Sequence, residues 1–193
     1  MILASPLNQP KPKPFRYSAI PKALETDVSS ALLDWFEKDA PWVLRIAEFY
    51  EQHEFVVRNE VLPTHLREPF SAVELGSLRE QVARLFDVQL SERIDVTAHR
   101  LTKGQRIRIH NDYIPGQETH RLLIQLNRGW IDENGGALML FNSDEPTDVH
   151  RVFRPVHNTG LLFEISRDSL HAVTPIHNGE RFTLVMSFFA AAS

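Results

Sequence analysis

The sequence has 193 residues, is 42% hydrophobic and 24% charged, and carries a formal net charge of -4. One domain with a sizeable core is expected at this length, and the charge provides no electrostatic basis for binding nucleic acid or an anionic membrane. Because the chain has no cysteine, disulfides, thiolate catalysis and cysteine-ligated metals are excluded. Any metal must therefore be held by nitrogen and oxygen, which suits Fe, Mn, Zn or a similar ion.

The amino-terminal residues 1–14 contain four prolines and predict an extended tail. They lack the basic start and the long apolar run of a signal peptide. No later apolar run approaches the length that spans a membrane. A cytoplasmic protein without a membrane partner is therefore the default expectation.

Residues 15–93 are expected to be a mainly helical support. A first helix is predicted from about Asp27, and Pro41 closes it off. Ser71 and Glu74 form a capping-box pattern, which predicts the start of a second helix. Apolar residues then recur at helical spacing, namely Leu75, Leu78, Val82, Leu85 and Phe86. The stretch WVLRIAEFYEQHEFVV, residues 42–57, could be helix, strand or one of each.

Residues 94–190 consist of short runs rich in branched and aromatic residues, separated by turn clusters. This texture is typical of short antiparallel strands and predicts a jelly roll or barrel. The two helices should cover one outer face of the sheet, because strands need an apolar partner. The predicted fold class is mainly β with amino-terminal helices, an α+β architecture.

His110 and Asp112 lie in the segment RIHNDYIPG and are separated by one residue. In a strand, residues i and i+2 point to the same face, so both side chains could reach one ion. The H-x-D pair alone is a weak signal, because a solvated polar turn would satisfy the same pattern. Residues further along the chain decide between the two interpretations.

His171 lies on one of the last predicted strands, and Arg181 comes after it at the start of an apolar strand. Asn178-Gly179 between them is a strong hairpin signal, so we expect these two strands to lie side by side. Arg181 and Thr183 would share one face of their strand. The opposite face would be apolar, with Phe182, Leu184, Met186 and Phe188. A buried arginine is costly unless it meets an anion. The candidate constellation is therefore two imidazoles and one carboxylate, with an arginine and a hydroxyl near them.

The order H-x-D…H…R-x-[ST] resembles that of the Fe(II)/2-oxoglutarate-dependent dioxygenase superfamily. The block RLLIQLNRGWIDENGGALMLF, residues 121–141, is similar to a strand–Gly-Gly–strand block in the prolyl-hydroxylase-like branch. The resemblance covers roughly residues 95–190. It implies a double-stranded β-helix (jelly-roll) core, with residues 1–193 forming a single dioxygenase domain.

The resemblance also implies a role for each motif residue. His110, Asp112 and His171 would hold Fe(II), and Arg181 would pair with the C5 carboxylate of 2-oxoglutarate, with a hydroxyl donor from Thr183. Related halogenases have Gly or Ala at the Asp112 position, so its carboxylate favours hydroxylation. With O2 as second cosubstrate, the implied reaction hydroxylates a C–H bond of an amino acid or peptidyl residue and releases succinate and CO2.

Four more residues are candidates for the cavity, each with a plainer alternative. Gln125 lies where relatives often place a tyrosine that touches the cosubstrate, or it is simply a polar barrel residue. Arg121 shares its face and could bind a substrate acid or be a solvated strand end. Tyr113 could contact substrate from the loop beside the site, or only pack its ring. Trp130 could wall the pocket, although core packing also explains it.

The other histidines have no partner at ligand spacing, although His99 could face inward from its strand. The partner is expected to be a small-molecule or peptide substrate, and oxidative tailoring of a natural product by the same site stays an alternative. A nucleic-acid demethylase is disfavoured, because the second arginine of R-x-N-x-T-x-R is Ser187 here. An inactive jelly-roll binding module is the non-enzymatic alternative, and the complete set of motif residues weighs against it. A cupin is disfavoured because Glu118 and His120 are at unsuitable spacing from His110.

Overall fold

The computed structural model describes residues 3–191, which contain two α-helices and eleven strands. The helices are α1 (Thr26–Lys38) and α2 (Ala72–Phe86). The strands are β1 (Tyr17–Ile20), β2 (Val43–Ile46), β3 (Glu51–Val56), β4 (Leu90–Leu101), β5 (Ile107–His110), β6 (Glu118–Gln125), β7 (Leu138–Phe141), β8 (Val149–Phe153), β9 (Gly160–Glu164), β10 (His171–Val173) and β11 (Arg181–Ala190). Short 3-10 turns lie at Thr64–Leu66, Glu68–Phe70 and Asp132–Asn134.

The strands form two antiparallel sheets. The larger sheet has seven strands in the order β1-β9-β6-β11-β4-β3-β2, and the smaller sheet has four in the order β5-β10-β7-β8. Apolar side chains from both sheets meet between them, with Leu123 and Val185 from the larger sheet and Leu140 and Val173 from the smaller one. The two sheets therefore enclose one layer of the core.

The helices form a third layer on the outer face of the larger sheet. Leu32 and Phe36 of α1 and Val82 of α2 belong to the same buried cluster as the outward-facing residues of β11. Those β11 residues are Phe182, Leu184, Met186 and Phe188, as the alternation in the sequence predicted. The expectation that the helices cover one face of the sheet is confirmed.

Local signals explain where α2 begins and ends. The Ser71 hydroxyl accepts a hydrogen bond from the backbone N–H of Glu74 at 3.4 Å, which confirms the predicted N-cap. Asp87 then adopts a left-handed conformation, with φ of 54°, and ends the helix. The first helix begins at Thr26, one residue before the predicted start.

The amino-terminal half contributes more strand than the sequence indicated. Residues 42–57, which could not be assigned, form β2 and β3, an antiparallel pair that joins the larger sheet beside β4. Residues 15–93 hold both helices as expected, but they also contain β1, β2, β3 and the first residues of β4, which begins at Leu90. The tail is partly packed, because Leu3 is buried and Lys11 forms a backbone bridge with Tyr17.

The predicted pairing of the His171 strand with the Arg181 strand is wrong. β10 lies between β5 and β7 in the smaller sheet, whereas β11 lies between β6 and β4 in the larger one. The backbone of Ile176 is engaged elsewhere: its N–H donates to the carbonyl of Gln105 at 3.0 Å, and its carbonyl accepts from Gly104 at 2.8 Å. The Asn178-Gly179 turn therefore connects two sheets and does not close a hairpin.

Within residues 3–191, no helix combines the length and the apolar character that crossing a membrane requires.

His120 on β6 should make the fold sensitive to acid. It is only 3% exposed, and its ring packs edge-on against Phe86 of α2 at 4.7 Å. Burial, with a smaller contribution from Arg16, lowers the pKa of His120 from 6.5 to about 4. Between these values the unfolded chain binds more protons than the folded one, so the free energy of unfolding falls as pH drops through this window, by roughly 2–3 kcal/mol for this residue.

We expect His120→Phe to remove that share of the acid sensitivity. Urea denaturation of wild type and variant between about pH 7 and pH 4 measures the difference, and the same substitution at the exposed His65 is the matched control. A stability difference between wild type and His120→Phe that does not change with pH would contradict the neutral, buried state of this imidazole.

Candidate metal and carboxylate site

His110, Asp112 and His171 come together at one end of the smaller sheet. His110 ends β5, His171 begins β10, and the two residues are direct partners in the antiparallel register. One potential ligand atom from each of the three side chains lies within 4.8 Å of the others. Asp112 oxygens lie 3.4 Å from His110 Nε2 and 3.1 Å from His171 Nε2. The structure thus brings together the three residues that the sequence singled out.

Both imidazoles are oriented by backbone carbonyls. His110 Nδ1 lies 2.8 Å from the carbonyl oxygen of Arg108, and His171 Nδ1 lies 2.7 Å from that of Ser169. A carbonyl can only accept, so each Nδ1 carries a proton, and in the neutral imidazole the free lone pair is on Nε2. Burial, with His110 next, lowers the pKa of His171 and keeps it neutral. This is the tautomer that a metal-binding histidine needs.

The backbone that carries Asp112 is held in an uncommon conformation. Asp112 has φ of 59°, a left-handed value that non-glycine residues adopt at a local energetic cost. Asn111 fixes this turn, because its side chain accepts from the N–H of Tyr113 and donates to the carbonyl of Arg167, each at 3.0 Å. The Ser169 hydroxyl also contacts the Asn111 carbonyl at 2.8 Å. These contacts tie the Asp112 loop to the turn that precedes His171.

The Asp112 side chain stays ionised. Burial acts to raise its pKa, but the adjacent Arg121 guanidinium holds the pKa well below its usual range. Arg121 also binds Glu118. Two imidazoles and a carboxylate, arranged around one point, fit a divalent metal with open coordination positions.

Arg181 is a buried cation that has no counterion among the described residues. It is 3% exposed, and within residues 3–191 no carboxylate lies at ion-pair distance from it. One terminal N–H donates to the Thr183 hydroxyl at 2.9 Å, and Thr183 donates to Gln125 Oε1 at 3.2 Å. Its Nε has no hydrogen-bond partner among the described residues, and burial lowers its pKa to about 10. A buried, still cationic guanidinium of this kind indicates a site for a carboxylate ligand.

A cavity of about 560 Å³ between the sheets contains both sites. It is lined by His110, Asp112, His171, Arg181 and Thr183 together with Arg121 and Tyr113. Gln125 does not line this cavity; it reaches the site through its contact with Thr183 and faces a separate cavity of about 250 Å³. Trp130 does not wall the cavity either, because its indole N–H donates to the Gly135 carbonyl at 2.9 Å and its ring packs in the core between the sheets.

The β2–β3 hairpin supplies cavity residues that the sequence pattern did not reveal. Phe49, in the turn between the strands, stacks on the His110 ring with centroids 4.5 Å apart, and Tyr50 and Gln52 also line the cavity. The unassigned stretch gave no signal for this, because its position depends on pairing with β4. His99 does face the cavity, and burial, followed by Arg121, lowers its pKa to about 3.

Comparison with known proteins supplies a family context. Residues 96–189 match the model of the 2OG-Fe(II) oxygenase superfamily. Prolyl 3-hydroxylase sudestada1 of Drosophila melanogaster is 22% identical over 169 residues, which are 83% of this chain and 31% of that protein. The chain therefore spans about a third of the length of this relative.

Two solved structures share the fold. A prolyl-4-hydroxylase of Pseudomonas putida superposes with a TM-score of 0.74 at 20% identity, over 91% of this chain and 93% of that one. A prolyl hydroxylase of Trichoplax adhaerens, in complex with a hypoxia inducible factor oxygen degradation domain peptide fragment, gives a TM-score of 0.71 at 15% identity, over 90% and 83% of the chains.

We expect His171→Ala to abolish metal binding, because only two of the three ligands remain. Saturating Mn(II) or Co(II) should stabilise the wild type by about 2.7 kcal/mol at 100 times the dissociation constant, and the variant by close to none. Chemical denaturation with and without metal measures this. His157→Ala, a partly buried histidine outside the triad, is the control. Equal metal-dependent stabilisation of His171→Ala and wild type would remove His171 from the site.

Proposed function

Because residues 96–189 match the model of the 2OG-Fe(II) oxygenase superfamily, we propose that this chain is a member and works as an Fe(II)- and 2-oxoglutarate-dependent dioxygenase. The proposed reaction hydroxylates a C–H bond of a prolyl or similar residue in a peptide and releases succinate and CO2. One observation carries the proposal. A two-histidine, one-carboxylate cluster shares its cavity with Arg181, a buried guanidinium that lacks a counterion among the described residues.

One set of side chains would bind the metal and a second set would bind the cosubstrate. His110, Asp112 and His171 would hold Fe(II) on one side and leave the other open, the arrangement of non-haem oxygenases. Bound Fe(II), with 2-oxoglutarate, supplies the activation of O2 and the oxidising power for C–H hydroxylation. Arg181 would bind the C5 carboxylate of 2-oxoglutarate through its guanidinium. The hydroxyl of Thr183 accepts a hydrogen bond from this guanidinium and so orients it. The enclosed position of Arg181 excludes water and strengthens this ion pair.

The same proposal describes residues 1–193 as a single domain whose core is a double-stranded β-helix. The four- and seven-stranded sheets that face each other across the core, with metal ligands at the ends of β5 and β10, support that description. The cytoplasmic location stays a prediction from the sequence.

A peptide is the proposed substrate because the cavity, of about 560 Å³, is lined by aromatic side chains. Phe49, Tyr50 and Tyr113 line it beside the metal ligands, and the Tyr113 side chain stacks against Arg167 at 5.1 Å. Aromatic faces of this kind suit the apolar ring of a prolyl residue. The Trichoplax relative was solved with a peptide, which supports the same substrate class.

Purified protein supplied with Fe(II), ascorbate and 2-oxoglutarate should form succinate and CO2. We expect Asp112→Ala and His110→Ala to abolish this turnover with little effect on folding, because each variant removes a metal ligand. Proline-containing peptides, free proline and unrelated small molecules are then compared for stimulation of succinate formation and for gain of an oxygen atom by mass spectrometry. Wild-type protein that forms no succinate under any of these conditions would contradict the proposal and favour an inactive binding module.

Arg181→Met separates the cosubstrate role from a structural one. Loss of a charged hydrogen bond of about 1.5–3 kcal/mol should raise the apparent KM for 2-oxoglutarate by about 10- to 100-fold. The free energy of unfolding of the metal-free protein should stay level or rise, because a buried unpaired charge is removed.

Steady-state kinetics and urea denaturation measure the two effects. Arg100→Met is the control, since Arg100 lies on the opposite face of the neighbouring strand and pairs with Glu180. An unchanged KM in Arg181→Met would place the C5 carboxylate elsewhere.

A further inference from the structure

We propose that Arg121 is a positioning residue for the metal site, which holds the Asp112 carboxylate in place and is itself held by Glu118. This inference rests on the proposed function, because the position of Asp112 matters through the metal it binds. It replaces the alternatives that the sequence left open for Arg121, a substrate-acid contact or a solvated strand end.

Arg121 is built into the inner face of the larger sheet. It lies on β6, opposite Ser187 of β11 and Phe163 of β9, and its side chain is 17% exposed. One terminal nitrogen, Nη1, contacts Asp112 Oδ2, and the other, Nη2, contacts Glu118 Oε1. Its Nε donates to Glu118 Oε2 at 3.2 Å. All three nitrogens of the guanidinium are therefore bound by protein carboxylates.

The two contacts with Glu118 fix the orientation of the guanidinium. Nε and Nη2 form one edge of the planar group, and that edge matches the two oxygens of a carboxylate. With this edge held by Glu118, Nη1 can only point towards Asp112. Turning Arg121 towards a substrate acid would break both bonds and leave Asp112 and Glu118 as buried carboxylates without a counterion.

The contact with Arg121 limits how Asp112 can bind a metal. Its Oδ2 is engaged by Nη1 and lies 3.1 Å from His171 Nε2, whereas Oδ1 lies 3.4 Å from His110 Nε2 and has no contact with Arg121. Because Oδ2 already accepts a charged hydrogen bond, Oδ1 is the better metal ligand, and the carboxylate would then supply one ligand atom. This keeps the remaining coordination positions free for a cosubstrate. Asp112 needs such a restraint, because its left-handed backbone conformation carries a local energetic cost.

The test measures metal binding without turnover. Wild type, Arg121→Gln, Arg121→Lys and Glu118→Gln are titrated with Co(II) by calorimetry, and the visible absorption of bound Co(II) reports its coordination. We expect Arg121→Gln to weaken Co(II) binding by about 10- to 100-fold and to change the spectrum. Arg121→Lys keeps the charge but not the planar fork, so it should recover part of the affinity. Glu118→Gln should give a smaller loss in the same direction.

Arg93→Gln is the control, because Arg93 is likewise an arginine paired with carboxylate, here only Asp95, but its side chain is 59% exposed. It should bind Co(II) as the wild type does. Thermal unfolding of the metal-free variants checks their fold. If Arg121→Gln does not fold, the decision rests on Arg121→Lys and Glu118→Gln.

Wild-type Co(II) affinity and spectrum in every folded Arg121 and Glu118 variant would overturn the inference. If the Arg121 variants bind Co(II) as the wild type does but show a raised KM for a proline-containing peptide, Arg121 contacts the substrate and does not position the metal site. In both cases the wild type still binds metal and forms succinate, so the proposed function stands. A wild type that binds no Co(II) and forms no succinate would instead overturn the proposed function, and this inference with it.

Discussion

The antiparallel pairing of β10 with β5 is the constraint on which the site depends. It places His171 directly opposite His110, although the two residues are distant in sequence. β10 has only three residues, and β7 holds its other edge with Leu140 opposite His171. A slip of one residue would turn an imidazole to the other face of the sheet, because side chains alternate along a strand. The short central strand therefore fixes the distance between the two imidazoles.

β11 connects the site to the rest of the core through its two faces. One face packs against both helices through Phe182 and Leu184, and the other carries Arg181 and Thr183 into the cavity. The apolar contacts of the outer face fix the position of β11 against the helices. They thus offset part of the penalty of burying a guanidinium, whose hydrogen bonds go to Thr183 and not to a carboxylate.

The two ends of the cavity differ in how their charged side chains are paired. At the metal end, Asp112 is balanced by Arg121, which is balanced by Glu118. At the other end, Arg181 has only neutral partners among the described residues. In a medium of low dielectric, a saturated carboxylate network orients its members, whereas an unsaturated cation attracts a ligand. The fold therefore places a charge-balanced cluster at one end of the cavity and an unbalanced cation at the other.

The sequence by itself determined the features that depend on local periodicity. The Ser71 cap, the helical stripes, the alternation of β11 and the inward position of Thr183 result from which residue lies two or four positions away. Only the tertiary structure decided which strands pair. It moved β10 into the smaller sheet, made residues 42–57 a hairpin beside the site, and turned Trp130 into the core. It also gave Arg121 its partners. Such pairings arise from contacts between segments far apart in the chain, about which a local pattern carries no information.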